Sequence, residues 1–350
     1  MGQQRIIICR EFGRTLTNVI RLTYHDRVYI LTDENTHRFC KPMLERVPPL
    51  DTVPEVVIGA GDVNKNMDSL AKVWEMLSRK GASRHSLLIN LGGGMVTDLG
   101  GFAAATFKRG ITYVNVPTTL LSMVDAAVGG KTGINFCGLK NEIGAFAPAA
   151  CVLIETDFLR TIDRPNLLSG YAEMLKHGLI STEHHLRELL AFDLEHVDYV
   201  ALKALVAKSI AVKENIVRQD PHEHGLRKAL NLGHTVGHAF ESFALASGRP
   251  VLHGYAVAWG LVCELYLSAL QVGFPEERLK QVVDFVRRHY GKLEFDGSHY
   301  AQLHELMTHD KKNTAGVINF TLLADVGDLR LNQTAEQEAI YQMFDFFCRQ

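Results

Sequence analysis

The chain reads as an α/β, Rossmann-like N-terminal domain with a parallel sheet over residues 1–157, followed by a mostly α-helical domain over residues 158–350. Three observations carry this reading. Short aliphatic and β-branched runs alternate with helical stripes through the first part, the rhythm of βαβ units. A strand signal over 86–91 runs straight into Gly92, Gly93 and Gly94, a strand–glycine–helix junction of the kind that receives phosphates. After about Asp157 strand signals nearly vanish and long helical patterns replace them.

Taken in order, Arg27 to Thr32 is a β-rich run that ends at Asp33, and Val56 to Ile58 is a second, ending at Gly59. Residues 64–80 put Met67, Leu70, Ala71, Trp74 and Leu77 on one stripe, which predicts a helix. Ser86 to Leu91, Thr112 to Val116 (stopped by Pro117) and Cys151 to Ile154 are the remaining strands of the first domain. Helices are predicted over 167–180, 183–192, 198–218, 226–246, 254–272 and 276–290, with one late strand over 317–323.

The 350 residues are 47% hydrophobic and 22% charged, with a formal net charge of -2. This is an ordinary globular composition, and its length fits two domains. No global field draws such a chain to nucleic acid or to a membrane, so neither partner is expected, and an anionic substrate must be met by local cations. None of the six cysteines forms C-x-x-C and several sit in apolar runs. They read as reduced core thiols of a cytoplasmic protein. The N-terminal apolar run is too short for a signal peptide, and no apolar segment is expected to reach membrane-spanning length.

The run 231–238 reads N-L-G-H-T-V-G-H and sets His234 and His238 four residues apart, on one face of a helix. His253-Gly254 follows after a loop, and upstream A-E-M-L-K carries Glu173 and Lys176. One carboxylate and two or three imidazoles from separate helices is the ligand set of a catalytic Zn²⁺ with an open position. H-x-x-x-H alone more often describes two histidines of an amphipathic helix, and with 16 histidines most are bystanders. Asp33, at a strand end, is placed where a side chain meets a ribose hydroxyl, although a strand-end Asp by itself is ordinary. Arg109 stands in Phe107-Lys108-Arg109-Gly110, and Asp125, Lys131 and Lys140 lie in a stretch otherwise poor in charge. Charges in apolar surroundings are paired or hold a ligand, and cations from several loops suit a phosphate and a carboxylate. Lys213 and Arg227 flank Asp220-Pro221-His222-Glu223, and D-K-K at 310–312 reads in isolation as a solvated face.

In this order L-G-G-G-x-x-x-D, the R-G after F-K, V-P-T-T-L-L-S-x-V-D, V-G-G-K-T, L-K-N, A-E-M-L-K-H-G, G-L-R-K-A-L-N-L-G-H-T-V-G-H, L-H-G-x-A-V-A and D-K-K resemble the 3-dehydroquinate synthase family of the sugar phosphate cyclases. They span residues 91–312, and the first 60 residues match weakly. The resemblance implies a dehydroquinate synthase-like fold and a Zn²⁺ (or Co²⁺) held by Glu173, His234 and His253, whereas spacing alone favours His234 with His238. It implies NAD contacts from Asp33, Asn35, Asp62, Lys65, Gly93, Gly94, Met95, Asp98, Thr118, Thr119, Leu121, Asp125, Lys140, Phe158 and Thr161. It implies substrate and catalytic roles for Arg109, Asp125, Lys131, Asn141, Lys176, Lys213, Arg227, Asn231 and His238, joined by Lys311 or Lys312. Four positions depart from the family pattern: Asp62 and Tyr255 stand where Glu is usual, Met95 where Val is, and Pro221 where Glu is frequent.

The implied reaction converts 3-deoxy-D-arabino-heptulosonate 7-phosphate to 3-dehydroquinate and phosphate. It proceeds by transient NAD-dependent oxidation, phosphate elimination, reduction and intramolecular aldol closure, a step of the shikimate pathway. A homodimer is expected. The rival readings are another sugar phosphate cyclase, a metal-dependent polyol dehydrogenase such as glycerol dehydrogenase, and a non-catalytic nucleotide-binding protein. The crowd of Lys and Arg speaks against a neutral polyol, and a pure nucleotide binder leaves the metal and cation sets without a use.

Overall fold

The structure is a computed structural model, and residues 4–48, 50–308 and 317–350 are described. The chain divides into two compact units, Met1–Asp163 and Arg164–Gln350.

In the first unit the described residues form β1 (Arg5–Ile8), α1 (Phe12–Leu22), β2 (Val28–Asp33), α2 (Glu34–Phe39), α3 (Lys41–Glu45), β3 (Glu55–Ile58), α4 (Met67–Arg79), β4 (Leu87–Gly92), α5 (Gly94–Thr106), β5 (Thr112–Pro117), β6 (Lys131–Phe136), β7 (Leu139–Phe146) and β8 (Cys151–Ile154). Among the described residues six of these strands make one sheet in the order β1-β8-β5-β4-β2-β3, and every pair in it is parallel. All six residues of β4 are buried, as a central strand covered on both faces requires. Helix α4 starts where the Asn66 side chain accepts the Ser69 N–H at 3.0 Å, a little after the expected start at 64.

Three strands of this unit carried no clear signal. β1 is a short edge strand, Arg5–Ile8, whose isoleucines pair with Cys151–Ile154. The β6–β7 hairpin is antiparallel and separate from the main sheet. Gly133 faces Gly144 across it, and a Cβ on Gly144 would meet the Thr132 carbonyl oxygen at 2.1 Å. β7 is largely exposed and lacks the apolar–polar alternation by which a strand is recognised.

Strand order places the binding crevice of the unit. From β2 the chain continues to β3 on one side, and from β4 it continues to β5 on the other, while β2 and β4 are paired neighbours. Neighbouring strands whose chains leave in opposite directions open a crevice at their carboxyl ends. Those ends are Asp33 and Gly92, each two residues beyond the Leu31–Asn90 pair.

The second unit holds α6 (Arg164–Leu179), α7 (Glu183–Ala191), α8 (Tyr199–Gln219), α9 (His234–Ala246), α10 (His253–Val272), α11 (Glu276–Tyr290), α12 (Tyr300–Thr308), β9 (Phe320–Asp325), β10 (Asp328–Gln333) and α13 (Gln337–Arg349). The late strand is thus one arm of an antiparallel pair. The helix expected over 226–246 is broken: Leu226–Asn231 is a 3-10 turn, Gly233 is left-handed at φ 78°, and α9 begins at His234. Apolar periodicity continues across the break and hides it. One other expectation needs correction. Among the described residues α10 is 20 residues long with a mean hydropathy of 1.3 over its most apolar window, enough for a membrane span by length and composition. Its apolarity has another cause: 67% of that window is buried among other elements of the protein.

Helices α9 and α10 meet backbone to backbone. A Cβ on Gly260 would lie 2.0 Å from the Gly233 carbonyl oxygen and 2.8 Å from the Gly237 nitrogen. Behind α9, Phe240 packs on Phe295 and Phe347 with ring centroids 5.3 Å apart in each case. Truncating such a ring to Ala costs about 3–5 kcal/mol. Gly260→Ala should force the two helices apart and cost about 1–3 kcal/mol by overpacking. A fall in the denaturant midpoint checks this, and an unchanged midpoint would show that the contact relaxes freely.

Candidate active site

In the second unit, α6 supplies Glu173, α9 supplies His234 and α10 supplies His253 from its first position. Nε2 of His234 lies 3.3 Å, and Nε2 of His253 3.4 Å, from Oε1 of Glu173. One donor atom from each of the three lies within 4.8 Å of the others. The opposite ring nitrogens fix the tautomers. His234 Nδ1 is 3.1 Å from the Leu232 carbonyl oxygen, and His253 Nδ1 is 3.3 Å from Glu241 Oε2. A carbonyl and a carboxylate only accept, so each Nδ1 carries the proton. In the neutral rings two Nε2 lone pairs then face a carboxylate oxygen that is itself an acceptor.

Three acceptors converging on one point call for a cation. Both Glu173 oxygens are buried without a well-directed hydrogen bond. A tetrahedral Zn²⁺ with ligands at about 2.0–2.2 Å sets its donor atoms about 3.3–3.6 Å apart, the spacing of both histidine nitrogens from Glu173 Oε1. The residues present therefore fit a three-ligand metal centre with an open position. In the metal-free arrangement the charges are uneven. Burial alone would raise the Glu173 carboxyl, but the Lys176 ammonium in contact with it and His234 beside it hold it well below the usual carboxylate range. Burial would lower His253, yet the carboxylates of Glu173 and Glu241 beside it push it up to about 10.

His238 stands one turn along α9, its ring 5.4 Å from that of His234 and 5.9 Å from that of His253. The spacing that singled out His234 and His238 thus places both beside the cluster, while Glu173 joins from α6. Lys213 is buried on α8. Arg227 is 2% exposed and donates from Nη1 to the Pro221 carbonyl oxygen at 2.6 Å. Its loop is built around Asp220, whose carboxylate accepts the N–H groups of His224, Gly225 and Arg227 at 2.9, 2.7 and 3.0 Å. The Arg227 N–H leads the bonds that hold the Asp220 carboxyl down at about 2. Asn231 donates to Glu223 at 3.0 Å. Lys311 and Lys312 lie outside the described residues.

In the first unit Gly93 caps α5 and Gly94 opens it directly beyond β4, so the first N–H groups of the helix have no Cβ in front of them. Met95 and Asp98 follow on the same first turns. Asp33 acts as the N-cap of α2, accepting the Thr36 N–H at 2.8 Å, and Asn35 is exposed beside it. Thr118 donates its N–H to the Gly92 carbonyl oxygen at 3.0 Å, and Thr119 shares hydrogen bonds with Ser122. Leu121 precedes the π-turn Ser122–Ala126 that carries Asp125. Phe158 is buried edge-on against Phe12, and Thr161 donates to its carbonyl oxygen at 2.7 Å.

Lys65 is buried with Nζ 2.5 Å from Asp98 Oδ2 and in contact with Asn141 Oδ1. Lys140 pairs with Asp62 at 3.5 Å, and Asn135 donates to the same carboxylate at 3.1 Å. These bonds bring Asp62, Lys65, Asp98, Lys140 and Asn141 into one polar cluster at the hairpin. Lys131 is exposed at the start of β6. Arg109 is exposed in a tight left-handed turn, with φ 50° at Lys108 and 69° at Arg109.

Sequence reasoning passed over two residues. Glu241 holds the Nδ1 of His253. Glu264 is fully buried and accepts the N–H groups of Gly233 and Val236 at 2.7 and 3.1 Å. An acid inside the apolar run W-G-L-V-C-E-L was the available signal for the second.

Residues 55–169 match the family described as 3-dehydroquinate synthase N-terminal, and residues 170–313 match 3-dehydroquinate synthase C-terminal. A 3-dehydroquinate synthase of Parabacteroides distasonis is 55% identical over 347 residues, covering 99% of this chain and 98% of its own. One from Oceanobacillus iheyensis is 38% identical over 307 residues, covering 87% and 84%. Among solved structures, a 2-epi-5-epi-valiolone synthase from Streptomyces hygroscopicus subsp. jinggangensis with NAD⁺ and Zn²⁺ bound shares the fold at a TM-score of 0.89 and 24% identity, covering 100% and 98%. With both halves of its length matched and more than half its residues shared with a full-length relative, the chain belongs to the 3-dehydroquinate synthase family.

Proposed function

We propose that this protein is a 3-dehydroquinate synthase, a carbon–oxygen lyase that closes 3-deoxy-D-arabino-heptulosonate 7-phosphate to 3-dehydroquinate with loss of phosphate. The observation that carries the reading is the convergence of Glu173, His234 and His253, one donor atom of each within 4.8 Å of the others, with the Lys176 ammonium in contact, in a chain 55% identical to a relative of that name. Glu173, His234 and His253 hold the metal, Zn²⁺ or Co²⁺, which polarises the substrate hydroxyls when bound. Bound NAD⁺ would supply a reversible hydride acceptor at the substrate alcohol, so the overall conversion would involve no net oxidation.

The chain's own residues do the rest. The α5 N-terminus at Gly93 and Gly94 cradles the cofactor pyrophosphate. The Asp33 carboxylate meets a ribose hydroxyl while capping α2, and Asn35, Asp62, Lys65, Met95, Asp98, Thr118, Thr119, Leu121, Lys140, Phe158 and Thr161 complete the nucleotide site. Arg109, Lys131, Asn141 and Lys213, with Lys311 or Lys312, neutralise the substrate phosphate, and Arg227 and Lys176 hold its carboxylate and hydroxyls. Asn231, Asp125 and His238 orient or exchange protons at hydroxyl oxygens, His238 from its place beside the triad. The leaving phosphate takes the proton released from the adjacent carbon, so no separate protein base is needed for elimination.

The enzyme works in the shikimate pathway, as a cytoplasmic homodimer. Its six cysteines are free thiols, four of them buried, which suits a reducing compartment. Cyclases acting on other sugar phosphates share the fold, so the substrate itself must be tested.

Incubation with 3-deoxy-D-arabino-heptulosonate 7-phosphate, Zn²⁺ and catalytic NAD⁺ should release phosphate without lasting NADH absorbance, and chelation should stop it. A folded, metal-loaded protein that releases none is a cyclase for another substrate, and steady NADH formation from glycerol identifies a dehydrogenase. His234→Ala should lose metal and turnover together, and full metal occupancy in that variant would remove His234 from the ligand set. Asp220→Asn should raise KM several-fold at unchanged zinc content, because the Arg227 loop loses its anchor. The depressed Asp220 carboxyl contributes above its ordinary value of 3.8, and that contribution is lost only as pH falls through about 2. This turn should therefore add no pH dependence to KM across neutral and alkaline pH.

A further inference from the structure

We propose that Glu264 is a positioning residue for the metal centre: it clamps the first turn of α9 and thereby fixes where His234 presents its Nε2. The proposal rests on the reading of Glu173, His234 and His253 as metal ligands.

Glu264 is 0% exposed. A buried carboxylate is costly unless its charge is satisfied, so its partners define its purpose. Two are backbone donors, the Gly233 N–H on Oε2 at 2.7 Å and the Val236 N–H on Oε1 at 3.1 Å. They belong to the unpaired N–H groups that begin every helix, here with the positive end of the helix dipole added. His234 lies between them in sequence, as the first residue of α9. Gly233, the N-cap residue, has no side chain of its own to cap the helix. The cap comes instead from the neighbouring helix.

That neighbour is α10, which also carries His253. From residue 253 to 264 is three helical turns, about 16 Å, ending on nearly the same face. One turn before Glu264, Gly260 lets the two backbones touch at Gly233 and Gly237. The two imidazoles are therefore referenced to one rigid helix, His253 directly and His234 through Glu264. Glu241 closes the loop in the other direction, from α9 back to His253. A capping role alone explains two hydrogen bonds. A positioning role also explains why the cap is charged, fully buried and set on the helix that bears the other ligand.

The test compares wild type with Glu264→Gln and Glu264→Ala by zinc affinity in chelator competition and by the visible spectrum of the Co²⁺-loaded protein. Loss of an outer partner to a metal ligand typically weakens metal binding by about 10–100-fold. Glu264→Ala should fall in that range with shifted cobalt bands. Glu264→Gln, which keeps one acceptor oxygen and aims an N–H₂ at the other donor, should fall between it and wild type. If Ala does not fold, the near-isosteric Gln variant decides. Zinc affinity and cobalt bands equal to wild type in a folded variant, even one of lower Tm, would reduce Glu264 to a helix cap and overturn the proposal. If wild type and His234→Ala bind zinc equally, the ligand assignment itself fails and the proposal falls with it, an outcome distinguishable from the first because it does not involve Glu264.

Discussion

Glu173 cannot be left alone. It is fully buried on α6, and a carboxylate with no water around it must be answered by nearby charge or by a cation. The second unit supplies that answer from three directions. Lys176 comes from the next turn of the same helix, His234 from α9 and His253 from α10. Each of these helices has then to be held in place. α6 meets α10 at Gly254, where a Cβ would lie 1.9 Å from the Ser169 carbonyl oxygen. α9 meets α10 at Gly233, Gly237 and Gly260. Placing one charge in the interior thus dictates close helix contacts well beyond it.

The first unit solves a different problem by a different means. A nucleotide needs donors rather than a convergent set of acceptors, and a parallel sheet offers them where a strand ends and a helix begins. The crevice between β2 and β4 follows from strand order alone. The hairpin β6–β7 adds side chains to this backbone site through Lys65, which contacts both Asp98 of α5 and Asn141 of the hairpin.

Much of this was legible in the residues. The strands β2, β3, β4, β5 and β8 lie within a residue or two of the aliphatic runs that announced them; β2, β4, β5 and β8 are central in the sheet, where a parallel strand must be apolar on both faces, and β3 is its edge. The break before α9 was not legible. Ala229, Leu232, Val236 and Phe240 keep helical spacing through a segment whose backbone is a 3-10 turn and a left-handed glycine. Side-chain period reports where apolar groups must point, not whether the backbone between them is continuous. The pairing of His234 with Glu173 and His253 was likewise beyond spacing, since three residues from three helices meet only through packing. What located them was the resemblance of the surrounding motifs.

The α9–α10 pair also sets a limit on how the chain can change in length. Point substitutions along the outer face of α10 leave its geometry intact. Inserting or deleting one residue between 253 and 264 would rotate everything beyond it by about 100°, turning Glu264 away from α9 and Gly260 out of the crossing. This stretch of eleven steps is therefore a segment whose residue count, more than most of its side chains, selection must hold constant. Relatives that lengthen loops elsewhere should align through it without a gap.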